Sequence, residues 1–236
     1  IVLLFNTVGF SKFTAFFENP DLLSILDSMP PALMAALNMN AFNLTTVTGF
    51  FGVMIMYMSL LLAVAAAMWG SDIISKEERD RTVEFSLTLP VTRARLITAK
   101  TAAVLFNCIV LLLVTWGSTL LNAQNYRPDD TFYRFVSVSM LSFFIIQLVF
   151  MALGVFLGCA MKKHKQSGAL AVAILLGSYM ASIISGLSKD VEWLKYFSPF
   201  EYFDSALLLS QSQLDTSYVL LSAAITVVLM AAGYYA

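Results

Sequence analysis

The chain has 236 residues, of which 59% are hydrophobic and 12% charged, with a formal net charge of -1. The charged share is about half the ~25% usual in a soluble domain, so the composition is that of a membrane protein. The near-neutral sum gives no reason to expect a nucleic-acid partner; the distribution of the charges is the informative part.

Ile1 opens inside an apolar run, with no Met and no basic n-region before it, so the expectation is a piece whose start lies upstream. Residues 1–17 read as the remaining part of a first span, near the lower end of the roughly 17 to 25 residues that cross a ~30 Å hydrocarbon core. Residues 18–43 lack Lys and Arg but contain Glu18, Asp21 and Asp27. Two helix-like pieces there, 21–27 and 31–37, have enough Leu, Ile and Met to lie on a membrane surface. A second span is expected over 44–74, a third over 96–121, a fourth over 131–161, a fifth over 167–185 and a sixth over 217–236. Residues 186–216 contain Trp193, Tyr196, Phe197, Tyr202 and Phe203, an aromatic set expected at the headgroup level. The fold class that follows is all-α: a polytopic membrane protein of six transmembrane helices forming one transmembrane domain, with short helices on its outer face.

The densest charge lies between the second and third spans. Lys76, Arg79, Arg81, Arg93, Arg95 and Lys100 fall there, and Lys162, Lys163 and Lys165 cluster after the fourth span, out of 14 basic residues in all. The positive-inside rule puts both segments, and with six spans both termini, in the cytoplasm. Orientation alone accounts for the basic turn at 162–165. It does not account for the acids and apolar positions mixed into 75–100, which read better as a docking surface.

Local structure in that segment admits two readings. Val83, Phe85, Leu87 and Leu89 alternate with polar residues, as a half-buried strand would. Ser75 followed by Glu78 instead fits a capping box, with acids at 77, 78 and 80 favoured by the helix dipole and Pro90 as a stop. An isolated strand would leave its ladder groups unpaired, so a short amphipathic helix over 76–89 is the reading taken.

Glu77, Thr82, Glu84, Leu89, Pro90, Val91, Thr92, Arg93 and Lys100 follow the pattern E-x(4)-T-x-E-x(4)-L-P-V-[ST]-R-x(6)-K. That arrangement resembles the segment between spans two and three of ABC transporter permeases of the type-2 exporter class. Many members have Gly directly before the Thr, where this chain has Arg81. The resemblance implies a coupling helix docked on a separate nucleotide-binding ATPase, a second permease copy or homologue, and a plasma-membrane location. In that reading Phe85 and Leu89 are the buried anchors. Glu77, Glu78, Arg79, Asp80, Arg81, Thr82 and Glu84 supply contacts, Pro90 ends the helix, and Arg93 fixes the start of the third span at the lipid interface.

Packing and chemistry complete the reading. Gly154 and Gly158 on the fourth span, Ala63, Ala67, Ala66 and Gly70 on the second, and Gly177, Ala181 and Ser185 on the fifth form small-xxx-small steps suited to close helix contact. Cys108 and Cys159 lie in apolar runs and read as small hydrophobes. Asn107 and Gln147 read as interhelical hydrogen-bond partners rather than substrate ligands, and no mid-membrane ionisable group of the kind an ion-coupled carrier needs is evident. The lone His164 has no second ligand at metal spacing, and no P-loop is present, so no catalytic site, metal or cofactor is expected in this chain, and ATP would be bound by the partner. Two functions remain: the permease of an ATP-driven exporter of an amphipathic or lipid-soluble substrate, and a non-transporting scaffold or sensor that docks a soluble protein.

Overall fold

A computed structural model describes residues 1–18, 28, 30, 34, 42–44, 46–79, 92–161, 164–187, 189–211 and 213–236. Among these residues the chain is all-helical: α1 (Val2–Glu18), α2 (Val47–Arg79), α3 (Arg93–Ala123), α4 (Asp130–Ala160), α5 (His164–Leu187), the short α6 (Ser205–Gln211) and α7 (Thr216–Tyr235), with 3-10 turns between some of them. Helices are the expected solution, because a spanning segment in lipid must satisfy its own backbone groups. Among the described residues five helices are long and apolar enough to cross a membrane, namely those over Val47–Lys76, Arg93–Tyr126, Asp130–Ala160, Gln166–Gly186 and Thr216–Tyr235; the apolar part of α1, Val2–Phe13, is shorter. Burial separates them: the apolar windows of α2 and α4 are 61% and 67% buried, whereas those of α3, α5 and α7 are 17%, 28% and 11% buried and expose most of their surface.

The chain divides into two compact units. The first comprises Ile1–Leu61, Leu112–Ser142 and Ser178–Asp215. Its core is aromatic. Phe51, fully buried, meets Phe132 and Phe135 edge-on at ring-centroid distances of 5.5 and 5.9 Å, and Phe10 stacks on Phe51 at 6.3 Å. Tyr126 closes the cluster, edge-on to Phe13 at 5.1 Å, with its hydroxyl donating to the Phe10 carbonyl at 2.8 Å. Asn6 is buried, and its Nδ2 donates to Thr119 Oγ1 at 2.9 Å, binding α1 to α3. The turn into α4 has a local cause. Arg127 takes the left-handed conformation (φ 48°), and Asp129 Oδ1 then accepts from the Phe132 amide at 3.1 Å, an N-cap contact. Thr46 does the same for α2, its hydroxyl accepting from the Gly49 amide at 3.1 Å.

In the same unit, residues 189–211 fold back as a two-faced element. Pro199, Phe200, Tyr202, Phe203 and Leu208 are buried, while Trp193, Tyr196 and Phe197 are exposed. Phe200 meets Tyr179 edge-on at 5.5 Å, and the Tyr202 hydroxyl donates to the Tyr196 carbonyl. Asp204 Oδ1 caps α6, accepting from the Ala206 amide at 2.6 Å. Glu201 Oε2 accepts from Ser182 Oγ at 2.8 Å. Burial holds its carboxyl above the ordinary glutamate range; the Ser182 hydrogen bond pulls it down, Asp204 pushes it up and Lys195 draws it down again. An acid whose pKa is raised by folding is least costly when protonated, and its cost grows as pH rises from the unfolded value toward the folded one. Glu201→Gln keeps an oxygen for Ser182 and is therefore expected to raise the thermal midpoint at pH 7 and leave it unchanged below about pH 4. Equal midpoints at both pH values would remove the argument.

The second unit comprises Leu62–Leu111, Phe143–Gly177 and Thr216–Ala236. Here α2 and α4 touch backbone to backbone. A methyl group placed on Gly154 would overlap the Ala67 carbonyl oxygen and crowd the Ser71 amide, and one on Gly70 would crowd the Met151 carbonyl. Gly158 continues the contact against Ser71 and Ile74. Serines line the same stretch of α2 with their hydroxyls folded onto their own helix, Ser71 Oγ donating to the Met68 carbonyl at 3.1 Å and Ser75 Oγ to the Ser71 carbonyl at 2.8 Å. Such hydroxyls are satisfied without a partner helix, which lets the backbones approach. Ala66, Val104, Cys108 and Met151 form a buried cluster where α3 joins the pair, and Trp69, Ile73, Leu105 and Leu148 pack against it. Gly233 on α7 lies against the backbone of Phe156, and the Thr98 and Tyr234 hydroxyls are 2.6 Å apart.

Several expectations change. The spans run 47–79, 93–123, 130–160, 164–187 and 216–235, longer or shifted by a few residues from those expected. Ser75 does not start a new helix at 76: α2 continues through it to Arg79, and the hydroxyl that was to cap an amide instead donates to a carbonyl four residues back. Asn107 is exposed and makes no interhelical hydrogen bond among the described residues. Gln147 is buried, yet neither carboxamide atom finds a hydrogen-bond partner among the described residues. Of the small residues on α5, Gly177 has no neighbour within 4 Å of its Cβ position among the described residues, whereas Ala181 is half-buried and Ser185 is buried. The pieces at 21–27 and 31–37 lie outside the described residues except for Met34, as do Lys162 and Lys163.

Candidate coupling site at the ends of α2 and α3

Two helix ends bracket the charged segment. On one side α2 runs unbroken for 33 residues, about 50 Å at 1.5 Å per residue, which exceeds a ~30 Å hydrocarbon core by about 20 Å. Lys76 is exposed on it, and Glu77, Glu78 and Arg79 continue the same helix. No joint separates the span from the start of the segment. A force applied to residues 77–79 would therefore reach the Gly70 and Gly154 contact through helix alone.

On the other side Thr92 starts α3. Its Oγ1 accepts from the Arg95 amide at 3.3 Å and its carbonyl from the Leu96 amide at 3.1 Å, so the Thr of the L-P-V-T-R stretch is an N-cap. Arg93 is the first residue of α3. Thr92, Arg93, Ala94 and Arg95 are all exposed. The Thr98 and Tyr234 hydroxyl contact follows one turn along, tying the start of α3 to the last turn of α7.

Of the residues expected to dock a partner, Glu77, Glu78 and Arg79 lie on α2 and Arg93 opens α3; Asp80, Arg81, Thr82, Glu84, Phe85, Leu89 and Pro90 lie outside the described residues. Sequence reasoning gave Thr92 no role, although a Thr directly before an apolar helix is a recognisable cap signal. It missed Asn6 because a single amide near the beginning of an apolar run does not show which helix it meets. Among the described residues, no three of His, Cys, Asp and Glu gather as a metal site would require. Two long helices, α2 and α3, flank the charged segment on either side.

Comparison with protein families assigns the chain. The model of the ABC-2 family transporter proteins matches residues 6–236, nearly the whole chain, and the protein belongs to that family. It is thus a multi-pass membrane protein and a permease component of an ABC transporter, in a family whose members generally work with an ATPase subunit and are generally not catalytic themselves. Among curated proteins no match is found.

Proposed function

We propose that the chain is the permease subunit of an ATP-driven exporter, that its six spans, α1 included, form one transmembrane domain in the plasma membrane, and that its termini and the 75–100 segment face the cytoplasm. Two copies, or one copy and a homologue, form the pathway, with ATP bound and hydrolysed by separate subunits beneath. The observation that carries the reading is the unbroken α2, which leads from its glycine contact with α4 directly into the charged segment. Glu77, Glu78, Arg79, Asp80, Arg81, Thr82 and Glu84 then meet the ATPase around Phe85 and Leu89, with Pro90 and Arg93 returning the chain to the membrane. Closure of the ATPase moves α2 as a lever, and coupling requires that this contact differ between the two states. The exposed Trp193, Tyr196 and Phe197 favour an amphipathic or lipid-soluble substrate, whose passage past the 189–211 element such side chains would ease.

The test is co-purification with the cognate ATPase in lipid, for the wild-type chain and for Phe85→Asp with Leu89→Asp. Two anchors worth about 2 kcal/mol each predict a loss in ATPase affinity on the order of 1,000-fold, together with loss of membrane-dependent hydrolysis. Equal retention by both chains rules the docking element out, and retention by neither leaves a scaffold for some other soluble partner.

A further inference from the structure

The 189–211 element does not stay beyond the helix it follows. Phe200 packs on Tyr179 and Glu201 bonds to Ser182, eight and five residues before α5 ends at Leu187, or about 12 and 8 Å back along its axis. Both contacts fall within the apolar stretch Gln166–Gly186, so the turn at 198–201 lays a carboxyl group alongside a spanning segment. An ionisable group in such a place is a candidate for function, because its charge is costly there unless something pairs with it.

The fold itself has no use for that charge. Oε2 accepts from Ser182 Oγ, a bond that a neutral carboxamide oxygen would accept as well, while Oε1 takes no hydrogen bond among the described residues. Ser198 gives an independent sign. It is fully buried, and its hydroxyl has no hydrogen-bond partner among the described residues, which is uncommon for a buried polar group. Its carbonyl accepts from the Glu201 amide at 3.1 Å, and in a turn this tight side chains three apart fall on one side, so the orphan hydroxyl is aimed where the carboxyl is. The charges acting on the spot do not cancel either: Glu201 and Asp204 are met by Lys195 alone, whose ammonium lies over the Tyr196 ring at 5.5 Å.

We propose that Glu201 Oε1 and Ser198 Oγ bind the protonated amine of an amphipathic substrate, whose apolar part lies along Trp193, Tyr196 and Phe197. The proposal rests on the export reading for the substrate's passage and adds the chemistry of its head group. An ammonium brings donors and no acceptor, which is what one carboxylate oxygen and one hydroxyl oxygen can satisfy. A bare calcium ion would want six to eight oxygens, and among the described residues no three of His, Cys, Asp and Glu gather. The aromatic surface is held beside the carboxyl: the Tyr202 hydroxyl donates to the Tyr196 carbonyl, and Trp193 meets Phe197 edge-on at 5.9 Å. Those three side chains are exposed, so they present apolar area to a tail and ring faces to a cation.

The experiment uses the full chain in phosphatidylcholine nanodiscs at pH 7 and follows the rise in thermal midpoint with the mole fraction of probe in the lipid. Dodecylammonium is the probe, dodecanol its uncharged counterpart, and sodium chloride and calcium chloride, each alone, the inorganic cations. Wild type is expected to be stabilised saturably by dodecylammonium and by none of the others. Glu201→Gln should weaken amine binding roughly 10- to 100-fold and Ser198→Ala roughly 3- to 10-fold. Glu201→Asp keeps the charge and should lose less than Glu201→Gln, which tells loss of the anion from damage to the turn. No saturable rise with dodecylammonium, an equal rise with dodecanol, saturable stabilisation by either salt, or an amine affinity unmoved by Glu201→Gln overturns the proposal. ATPase retention by the same preparations separates the two claims. A chain that holds the ATPase yet binds no amine fails the proposal alone, and one that binds the amine yet holds no ATPase fails the export reading alone.

Discussion

Gly154→Leu is expected to be the most damaging single change in the membrane-spanning part of the chain. Its Cβ would overlap the Ala67 carbonyl oxygen and crowd the Ser71 amide, and both belong to the backbone of α2, which cannot step aside as a side-chain tip can. Overpacking against movable side chains costs about 1 to 3 kcal/mol; here the two helices must separate, and about 3 kcal/mol or more is expected. Gly154→Ala should already be felt. Gly177→Leu is the control, because the same substitution enters open space and should stay within about 0.5 kcal/mol. Thermal unfolding in detergent, read with the monodisperse fraction, decides the matter. If the two leucine variants behave alike, the backbone contact between α2 and α4 is not what holds that unit.

Ser75→Pro should leave the protein inserted and folded in its membrane part but disconnect ATP hydrolysis from transport. Proline inside a helix removes one hydrogen bond and collides with the carbonyl four residues back, at about 3 kcal/mol, and here that carbonyl is the Ser71 oxygen that Ser75 Oγ also engages. A kink there would detach residues 76–79 from the lever. Ser75→Ala distinguishes a lever from a separate capped helix. Loss of a true N-cap would cost about 1 kcal/mol, whereas a hydroxyl bonded to its own helix should be nearly silent. The measurement is substrate-stimulated ATPase activity beside substrate flux in reconstituted vesicles. Normal flux in Ser75→Pro would mean that the span and the segment move independently.

These two sites also show what could be read from residue order and what could not. Apolar length and the bilayer's thickness made the spans legible to within a few residues, and Thr46 and Thr92 show where their starts belong, since each caps a helix that hydropathy alone would begin two to four residues away. Ser75 with Glu78 carried the same kind of signal and was misleading: in an apolar helix a serine is equally at ease bonding backward to a carbonyl, and the pattern does not say which. Gly154 with Gly158 packed as their spacing suggested, and Gly177 did not, because a small residue permits approach without naming a neighbour. Asn107 and Gln147 were indistinguishable in sequence for a related reason. A helix apolar on every side gives no sign of its rotation, so an amide on it can as well face the outside as the core. Membership of the ABC-2 family was legible through the Glu77 to Lys100 motif, whose Thr92 caps α3.

The contact between α2 and α4 passes over α3, which lies between them in the chain. Roughly 80 residues separate Gly70 from Gly154, and a ribosome adding about 5 to 20 residues per second needs on the order of 4 to 16 seconds to cover them. For that interval α2 waits in the bilayer with its close-packing face turned to lipid. Ser71 and Ser75 make the wait tolerable, because their hydroxyls are already bonded within their own helix and ask nothing of the hydrocarbon. Biogenesis of this protein therefore has a built-in delay, and a nascent chain halted before Gly154 should present α2 to whatever membrane chaperone or protease surveys unpaired helices.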